Sequence, residues 1–296
     1  MKCGLILEGG AMRGMFTCGV LDVFMEEGIT FDGAIGISAG AVFGCNFKSA
    51  KIGRPIRYNK KYCRDKRYCS IRSLLKTGDL YGEDFCYREL PDVLDPFDRV
   101  AFKNNPMEFY IGATDVYSGN TRYHLCSDGG SRDMKWMQAS ASMPLVSRPV
   151  SVDGYLMLDG GITDAVPYAY MKGIGYNRNV LILTQPKGYR KRENYPGWAL
   201  KCLFHKFPAI EKAMADRSAM YNRQMDEIDQ MEEDGTSFVI RPKEKLGVGR
   251  VTHDPDQLEC AYQMGRSVAS ECVGLVKAFL NSGGRASHNN ASYHRT

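Results

Sequence analysis

Gly36-Ile37-Ser38-Ala39-Gly40 sets one serine between two glycines, after the apolar run Phe31 to Ile37 and before a stretch of small residues. A serine on so sharp a turn between a strand and a helix has its hydroxyl exposed, with the first amides and the positive dipole end of the helix aimed at it. That is what a nucleophilic serine needs. The same five residues would also make a plain strand-to-helix turn with Ser38 as N-cap. The choice rests on whether a base and a set of oxyanion donors reach the same place. For the base, the histidines are His124, His205, His253, His288 and His294, and none sits in a glycine-flanked strand end. A carboxylate acting directly on the serine fits better, and two Asp-Gly-Gly sequences offer one. Asp128-Gly129-Gly130 lies in the polar run Ser127 to Asp133, where Asp and Gly need no function beyond a turn. Asp159-Gly160-Gly161 ends the apolar Tyr155 to Leu158, so Asp159 would stand at a strand end against the sheet and is the better base. For the donors, Glu8-Gly9-Gly10-Ala11-Met12-Arg13-Gly14 is a glycine-rich turn whose backbone amides could receive an anion.

These groups meet only if the elements carrying them are neighbours. Met1 to Leu7 reads as a buried strand, Arg13 to Glu27 as a helix stopped by Gly28, and Phe31 to Ile37 as a second strand. Strand, helix and strand in so short a span make a βαβ unit with parallel strands and a right-handed crossover. The C-terminal ends of both strands then share one edge of the sheet, which puts the Gly9 to Gly14 loop beside Ser38. Farther on, strands are expected at Phe109 to Thr114, Thr121 to Cys126, Tyr155 to Leu158, Val180 to Thr184 and Thr236 to Arg241. Helices are expected at Met134 to Met143, over one long region from Pro196 to Glu233, and after Asp254-Pro255, where Leu258, Ala261, Tyr262, Gly265 and Ala269 share a face. The expected class is α/β, with one domain over residues 1–281 and a polar, disordered tail at 282–296.

In order, Gly9-Gly10-Ala11-Met12-Arg13-Gly14, Gly36-Ile37-Ser38-Ala39-Gly40 and Asp159-Gly160-Gly161 resemble the motifs of the patatin-like phospholipase family: a G-G-G-x-R/K-G oxyanion loop, a G-x-S-x-G elbow and an Asp-Gly-Gly. Ala139-Ser140-Ala141-Ser142-Met143-Pro144 is similar to the A-S-x-A-x-P block that precedes the family's aspartate. The resemblance runs from about Cys3 to Pro167. It implies a three-layer α/β/α fold with a mostly parallel central sheet and a lipid acyl hydrolase. In it Ser38 is the nucleophile, Asp159 the base, and Gly9, Gly10, Ala11, Met12, Arg13 and Gly14 the oxyanion loop. Two positions depart from the pattern. Ala11 replaces the usual third glycine, a change compatible with a backbone donor when its φ is negative. Ala165 stands where many members carry Asn ahead of Val166-Pro167.

Composition narrows the remaining classes. A chain of 296 residues with 44% apolar content can bury a large core, which excludes disorder of the whole. No apolar run is long enough for a membrane span or signal peptide, and the expectation is a soluble, cytoplasmic protein. The ten cysteines are scattered without CxxC spacing, which suggests reduced thiols and argues against a zinc site; no metal or other cofactor is expected. The net charge of +5 is uneven, since Lys48 to Lys76 holds eleven Lys/Arg against Asp65 alone. That run is either a solvated face or a peripheral contact for an anionic membrane. Nucleic acid is not expected, because no recognition motif accompanies the charge. The segment should begin at the far end of the elbow helix from Ser38 or fold back as a cap near the cleft. Two other functions account for parts of the pattern. A dinucleotide-binding oxidoreductase would read Gly9-x-Ala11-x-x-Gly14 as a degenerate fingerprint with Asp32 on the ribose, but Asp32 precedes the second strand where such an acid should end it. A non-catalytic lipid-surface or scaffold protein would keep the fold and use the basic run.

Overall fold

The structure is a computed structural model in which residues 1–192 and 196–282 are described. The tail expected at 282–296 thus lies, beyond its first residue, outside the described residues. In chain order the elements are β1 (Cys3–Leu7), α1 (Gly14–Glu26), β2 (Gly33–Ile37), α2 (Ala39–Lys48), α3 (Arg54–Tyr62), α4 (Ile71–Thr77), a π-helical stretch at Phe85–Leu94, α5 (Arg99–Asn104), β3 (Glu108–Asp115), β4 (Thr121–Leu125), α6 (Ser131–Ser140), β5 (Val150–Val152), β6 (Tyr155–Asp159), α7 (Tyr168–Gly173), β7 (Arg178–Ile182), α8 (Gly197–Phe204), α9 (Pro208–Glu233), β8 (Ser237–Ile240) and α10 (Pro255–Asn281). The strands form one eight-stranded sheet in the order β5-β6-β3-β2-β1-β7-β8, with β4 also paired to β3. The β3-β2-β1-β7-β8 portion is parallel and the β4, β5 and β6 pairings are antiparallel.

Alternation along β1 shows why helices cover both faces. Leu5 and Leu7 pack with Phe16, Phe24, Phe43 and Leu258 from α1, α2 and α10, while Ile6 joins Met171, Tyr221, Met225 and Ile228 from α7 and α9. Successive side chains of a strand point to opposite faces, so a strand apolar at every position must be sandwiched. The result is the expected three-layer α/β/α arrangement.

The long helical region expected from Pro196 to Glu233 is two helices. Proline cannot continue a helix from its interior, and Pro208 instead opens α9 in its first turn, after the break at His205 to Phe207. Asp254-Pro255 does open α10, with the Asp254 side chain accepting from the Asp256 amide. Among the described helices none is long and apolar enough to cross a membrane.

One edge of β3 matters most. Its other edge is taken by β4 over Tyr110 to Thr114, so β2 and β6 must share what is left. Ile37 of β2 pairs with Gly112, and Asp159 of β6 pairs with the next residue, Ala113. Two strands distant in sequence therefore meet end to end along a single partner. The residue after Ile37 is Ser38.

The basic run folds back. Lys48 is buried and donates to the carbonyls of Asn105 and Met107. Arg54 and Arg57 bond Asp95, Lys51 pairs with Asp98, Lys60 with Glu259, and Arg67 with Asp65 and Glu89. The sequence overstated the free charge because, Asp65 apart, the answering carboxylates lie outside the run. Tyr58, Tyr62 and Tyr68 are buried, so they are packing residues rather than headgroup contacts.

Candidate active site

Ser38 is held at φ 54° and ψ −120°, between β2 and α2. Such a conformation costs a non-glycine residue about 1–3 kcal/mol and persists only where the surroundings impose it. They do so here from several sides. The Ser38 amide donates to Ser140 Oγ at 2.8 Å, and Ser140 in turn donates to the Gly112 carbonyl at 2.7 Å, tying the elbow to β3. The Ser38 carbonyl accepts from the amides of Ala41 and Val42. A Cβ at Gly36 would lie 2.4 Å from the Gly40 carbonyl carbon and one at Gly40 2.3 Å from the Leu7 oxygen, so neither position admits a side chain. Ser140 falls in the block already noted in the sequence, but its role as a brace was not legible there.

Asp159 ends β6 and caps the short 3-10 turn Gly160–Ile162, its Oδ1 accepting from the Gly161 amide at 2.8 Å. A Cβ at Gly160 would meet the Gly112 carbonyl at 2.3 Å, which is why this strand end can press against β3. Burial pushes the Asp159 carboxyl above the ordinary aspartate value of 3.8, against the opposing pull of the Arg217 guanidinium and of hydrogen bonding with Ser38. Asp128, the other candidate, is exposed and accepts from the Gly130 amide in a turn ahead of α6. The structure thus brings Asp159 to Ser38 and leaves Asp128 outside the lining of the cleft at Ser38.

The glycine loop lies beside them. A Cβ at Gly9 would be 3.0 Å from the Ser38 Cβ. Within the loop the Arg13 amide donates to Gly10 and the Gly14 amide to Ala11 and Met12. These two are occupied. Among the described residues the amides of Gly9, Gly10, Ala11 and Met12 have no hydrogen-bond acceptor, so they remain as candidate donors. Ala11 adopts φ 50°, so the negative angle on which its compatibility with a backbone donor was conditioned is not met. Left-handed alanine is strained by about 1 kcal/mol relative to glycine, an amount close to the unfolded-chain entropy that glycine would add. Ala11→Gly should therefore leave the melting temperature nearly unchanged and keep serine labelling by a fluorophosphonate within about threefold of wild type. A tenfold acceleration would mean that the methyl obstructs the loop.

Glu8, unremarked in the sequence, anchors the loop from below. Its carboxylate accepts from the Thr184 amide and hydroxyl and from Tyr221, joining the ends of β1 and β7 to α9. The turn after Asp159, where Ala165 replaces Asn, is tied by Gln224, whose Oε1 accepts from the amides of Ala165 and Val166.

Two hollows open on Ser38. One, of about 250 Å³, is bounded by the glycine loop, Asp159, Met143 to Val146 and the side chains of Arg13, Lys191, Arg217 and Arg250. The other, of about 80 Å³, is apolar, and its wall includes Met12, Phe43, Tyr58, Tyr68, Tyr87 and Leu90. The segment after α2 is therefore a cap over the site, the second of the two placements the sequence allowed.

Comparison with known proteins bears on what such a site is. A family model described as patatin-like phospholipase matches residues 5–172, more than half of the chain and every motif just described. The chain belongs to the patatin-like phospholipase family. A second model, a domain of unknown function, matches residues 207–281. Relatives include the uncharacterized protein YjjU of Escherichia coli (31% identity, 62% of this chain and 52% of that one) and the lysophospholipase nte1 of Aspergillus terreus (29% identity, 58% and 11%). A third is the uncharacterized NTE family protein Rv1063c of Mycobacterium tuberculosis (25% identity, 61% and 48%). The chain thus spans about half, or far less, of the length of these relatives. VipD from Legionella pneumophila superposes over 93% of this chain and 67% of its own with a TM-score of 0.45 at 13% identity.

Other functional readings find less. The Asp32 carboxylate accepts from the Cys3 amide, at the N-terminal end of β1 and so at the far end of the strands from the glycine loop, where no ribose held by that loop could reach it. Among the described histidines none lines either hollow. All ten thiols are free. One His/Cys/carboxylate cluster, not anticipated from the sequence, groups His124, Cys126 and Asp133. Asp133 there already accepts from His124 and from the amides of Ser127, Asp128 and Gly129, and it organises the turn before α6.

Proposed function

We propose that this protein is a serine acyl hydrolase that cleaves carboxylic esters of lipids with a Ser38–Asp159 dyad. The observation that carries this reading is the meeting of Ser38, Asp159 and the unpaired amides of Gly9 to Met12 at one sheet edge. Family membership and the lysophospholipase named among the relatives support it. In the first half of the reaction Ser38 Oγ attacks the ester carbonyl carbon as its proton passes to the Asp159 carboxylate. The oxyanion that forms is met by the loop amides, each such donor being worth about 3 to 4 kcal/mol. Collapse breaks the bond to the alcohol, which leaves with the proton from Asp159, and the acyl group stays on Ser38. Water then attacks, Asp159 takes its proton and returns it to Ser38 Oγ, and the fatty acid departs. The apolar hollow accommodates the acyl chain. With many of the basic run's cations tied to carboxylates, contact with an anionic bilayer would fall to α4, where Ile71 and Leu75 are exposed alongside Arg72 and Lys76.

Labelling of the native protein by a fluorophosphonate on Ser38 alone tests the reading directly, and absence of any label would favour the non-catalytic scaffold. The pH profile tests the base. Asp159 must be ionised to accept the proton, and burial raises its pKa, so activity falls as pH drops through a value above 3.8. On a short-chain nitrophenyl ester, an acid limb of kcat/KM centred at or below 3.8 would remove Asp159 from this role.

A further inference from the structure

Ser38 stands one residue past β2, outside the strand and in a strained conformation. Both it and Asp159 are tied to one short segment at the C-terminal end of α6. The Ser38 amide donates to Ser140 Oγ at 2.8 Å, and two residues on, the Ser142 carbonyl accepts from the Asp159 amide, also at 2.8 Å. Ala141 between them closes the helix, its amide donating to the carbonyls of Met137 and Gln138. Ala141 and Met143 continue into the walls of the hollows at Ser38. The end of α6 thus holds a backbone group of each reacting residue.

The two serine hydroxyls of this segment, both buried, are used differently. Ser142 Oγ donates to the Gln138 carbonyl four residues earlier, within its own helix end. Ser140 Oγ reaches out of the helix and donates to the Gly112 carbonyl of β3 at 2.7 Å. A carbonyl can only accept, so the single hydroxyl hydrogen is committed to Gly112, and what Ser140 turns toward Ser38 is a lone pair. The same Gly112 carbonyl lies against Gly160, the residue after Asp159, where a Cβ would come within 2.3 Å of it. Ser140 lines neither hollow, and its hydroxyl is engaged at both its hydrogen and its oxygen. It has no free group with which to meet a substrate.

We propose that Ser140 is a positioning residue for hydrolysis, its hydroxyl holding the Ser38 backbone in the positive-φ conformation that presents Oγ to Asp159 and to the loop amides. This rests on the acyl hydrolase reading. Removing the hydroxyl takes a partner from two buried groups, the Ser38 amide and the Gly112 carbonyl, and the strained elbow can relieve that loss by relaxing. A displacement of about 1 Å at a reacting atom can cost about a hundredfold in rate without weakening substrate binding. Asp159 would register the same movement. Burial raises its pKa, while Arg217, hydrogen bonding with Ser38, the Gly161 amide and Lys191 draw it back, and Tyr87 is a further titratable group near it. An elbow that swings away gives up the Ser38 bond, so the carboxyl pKa rises further. The acid limb of the rate then moves to higher pH.

The test is Ser140→Ala on a short-chain nitrophenyl ester. The variant should lose about 10- to 100-fold in kcat with KM within about twofold of wild type, fluorophosphonate labelling of Ser38 should slow in step, and the acid limb should move up. Ser140→Cys, whose sulfur is a weaker acceptor, should fall between the two. Ser49→Ala removes another buried hydroxyl, at the far end of α2, where it donates only to the Asn46 carbonyl, and should keep the wild-type kcat and acid limb whatever it costs in melting temperature. A folded Ser140→Ala with kcat within about twofold of wild type, or one that loses melting temperature alone as Ser49→Ala does, overturns the proposal and leaves the hydrolase standing. Should Ser140→Ala not fold, Ser140→Cys decides: kcat at least about threefold below wild type at unchanged KM supports the role, and wild-type kcat overturns it. If the wild type neither turns over an ester nor takes the label, the hydrolase reading falls, and residue-resolved amide exchange decides whether Ser140 holds the elbow. Exchange of the Ser38 amide at least about tenfold faster in Ser140→Ala, and unchanged in Ser49→Ala, supports it; equal exchange in Ser140→Ala and wild type overturns it.

Discussion

Ser38→Ala should reduce ester turnover by up to about six orders of magnitude, the loss measured when a serine hydrolase is stripped of its nucleophile. The fold should survive, because the groups that hold the elbow are the backbone of Ser38, the Ser140 hydroxyl and the glycines at 36 and 40. Alanine inherits the positive φ and so the strain. Glycine does not, and Ser38→Gly should be equally inactive but no less stable than Ser38→Ala, since relief of about 1–3 kcal/mol of strain exceeds or matches the added chain entropy. Turnover by Ser38→Ala within tenfold of wild type, on protein shown free of contaminating hydrolase, would eliminate Ser38 as nucleophile.

Asp159→Asn should be nearly as damaging, by about four orders of magnitude if it follows the loss of an acid partner in other serine hydrolases. Asp128→Asn should stay close to wild type, as its carboxylate is exposed and serves a turn. The two aspartates also separate in stability. Because the Asp159 pKa is raised in the folded chain, the stability it contributes is fully present below its unfolded value and is lost as pH rises through the folded one. At pH 7 the ionised carboxylate is a cost. An isosteric neutral amide removes it, so Asp159→Asn should melt at or above the wild-type temperature while activity vanishes. Inactivity accompanied by a large fall in melting temperature would mean that the residue is structural, and the reverse activity ranking of the two aspartates would assign the chemistry to the wrong Asp-Gly-Gly.

Much of the sheet was legible because its strands are buried on both faces and read as short apolar runs: Leu5 to Leu7, Ala34 to Ile37 and Val180 to Ile182 need no partner to be recognised. Ser38 and Asp159 were legible for a related reason, since glycines at 36, 40 and 160 mark where backbones must touch. The basic side chains of the larger hollow were not. Arg217 and Tyr221 do sit four apart on a helix that was expected, with Met214 a turn earlier, but nothing local says which face of that helix looks into a cleft. Lys191 and Arg250 lie in loops and are positioned by Asn222 and Tyr81, partners 31 and 169 residues away. The free charge of Lys48 to Lys76 was misjudged by the same kind of omission, for Asp95, Asp98 and Glu259 stand outside the run.

The shared edge of β3 has a consequence for how such a protein can be altered. Ser38 and Asp159 are 121 positions apart, yet their separation in space is set by the consecutive rungs Ile37 to Gly112 and Asp159 to Ala113. The length of the intervening chain does not enter. The cap that supplies Tyr58, Tyr68, Tyr87 and Leu90 to the apolar hollow is spliced in between α2 and β3, and the basic side chains of the larger hollow, Arg13 apart, come from chain beyond β7. The Ser38–Asp159 pair and the linings around it are therefore separate parts: either lining can be transplanted, lengthened or trimmed while the pair keeps its spacing, as interchangeable jaws fit one vice.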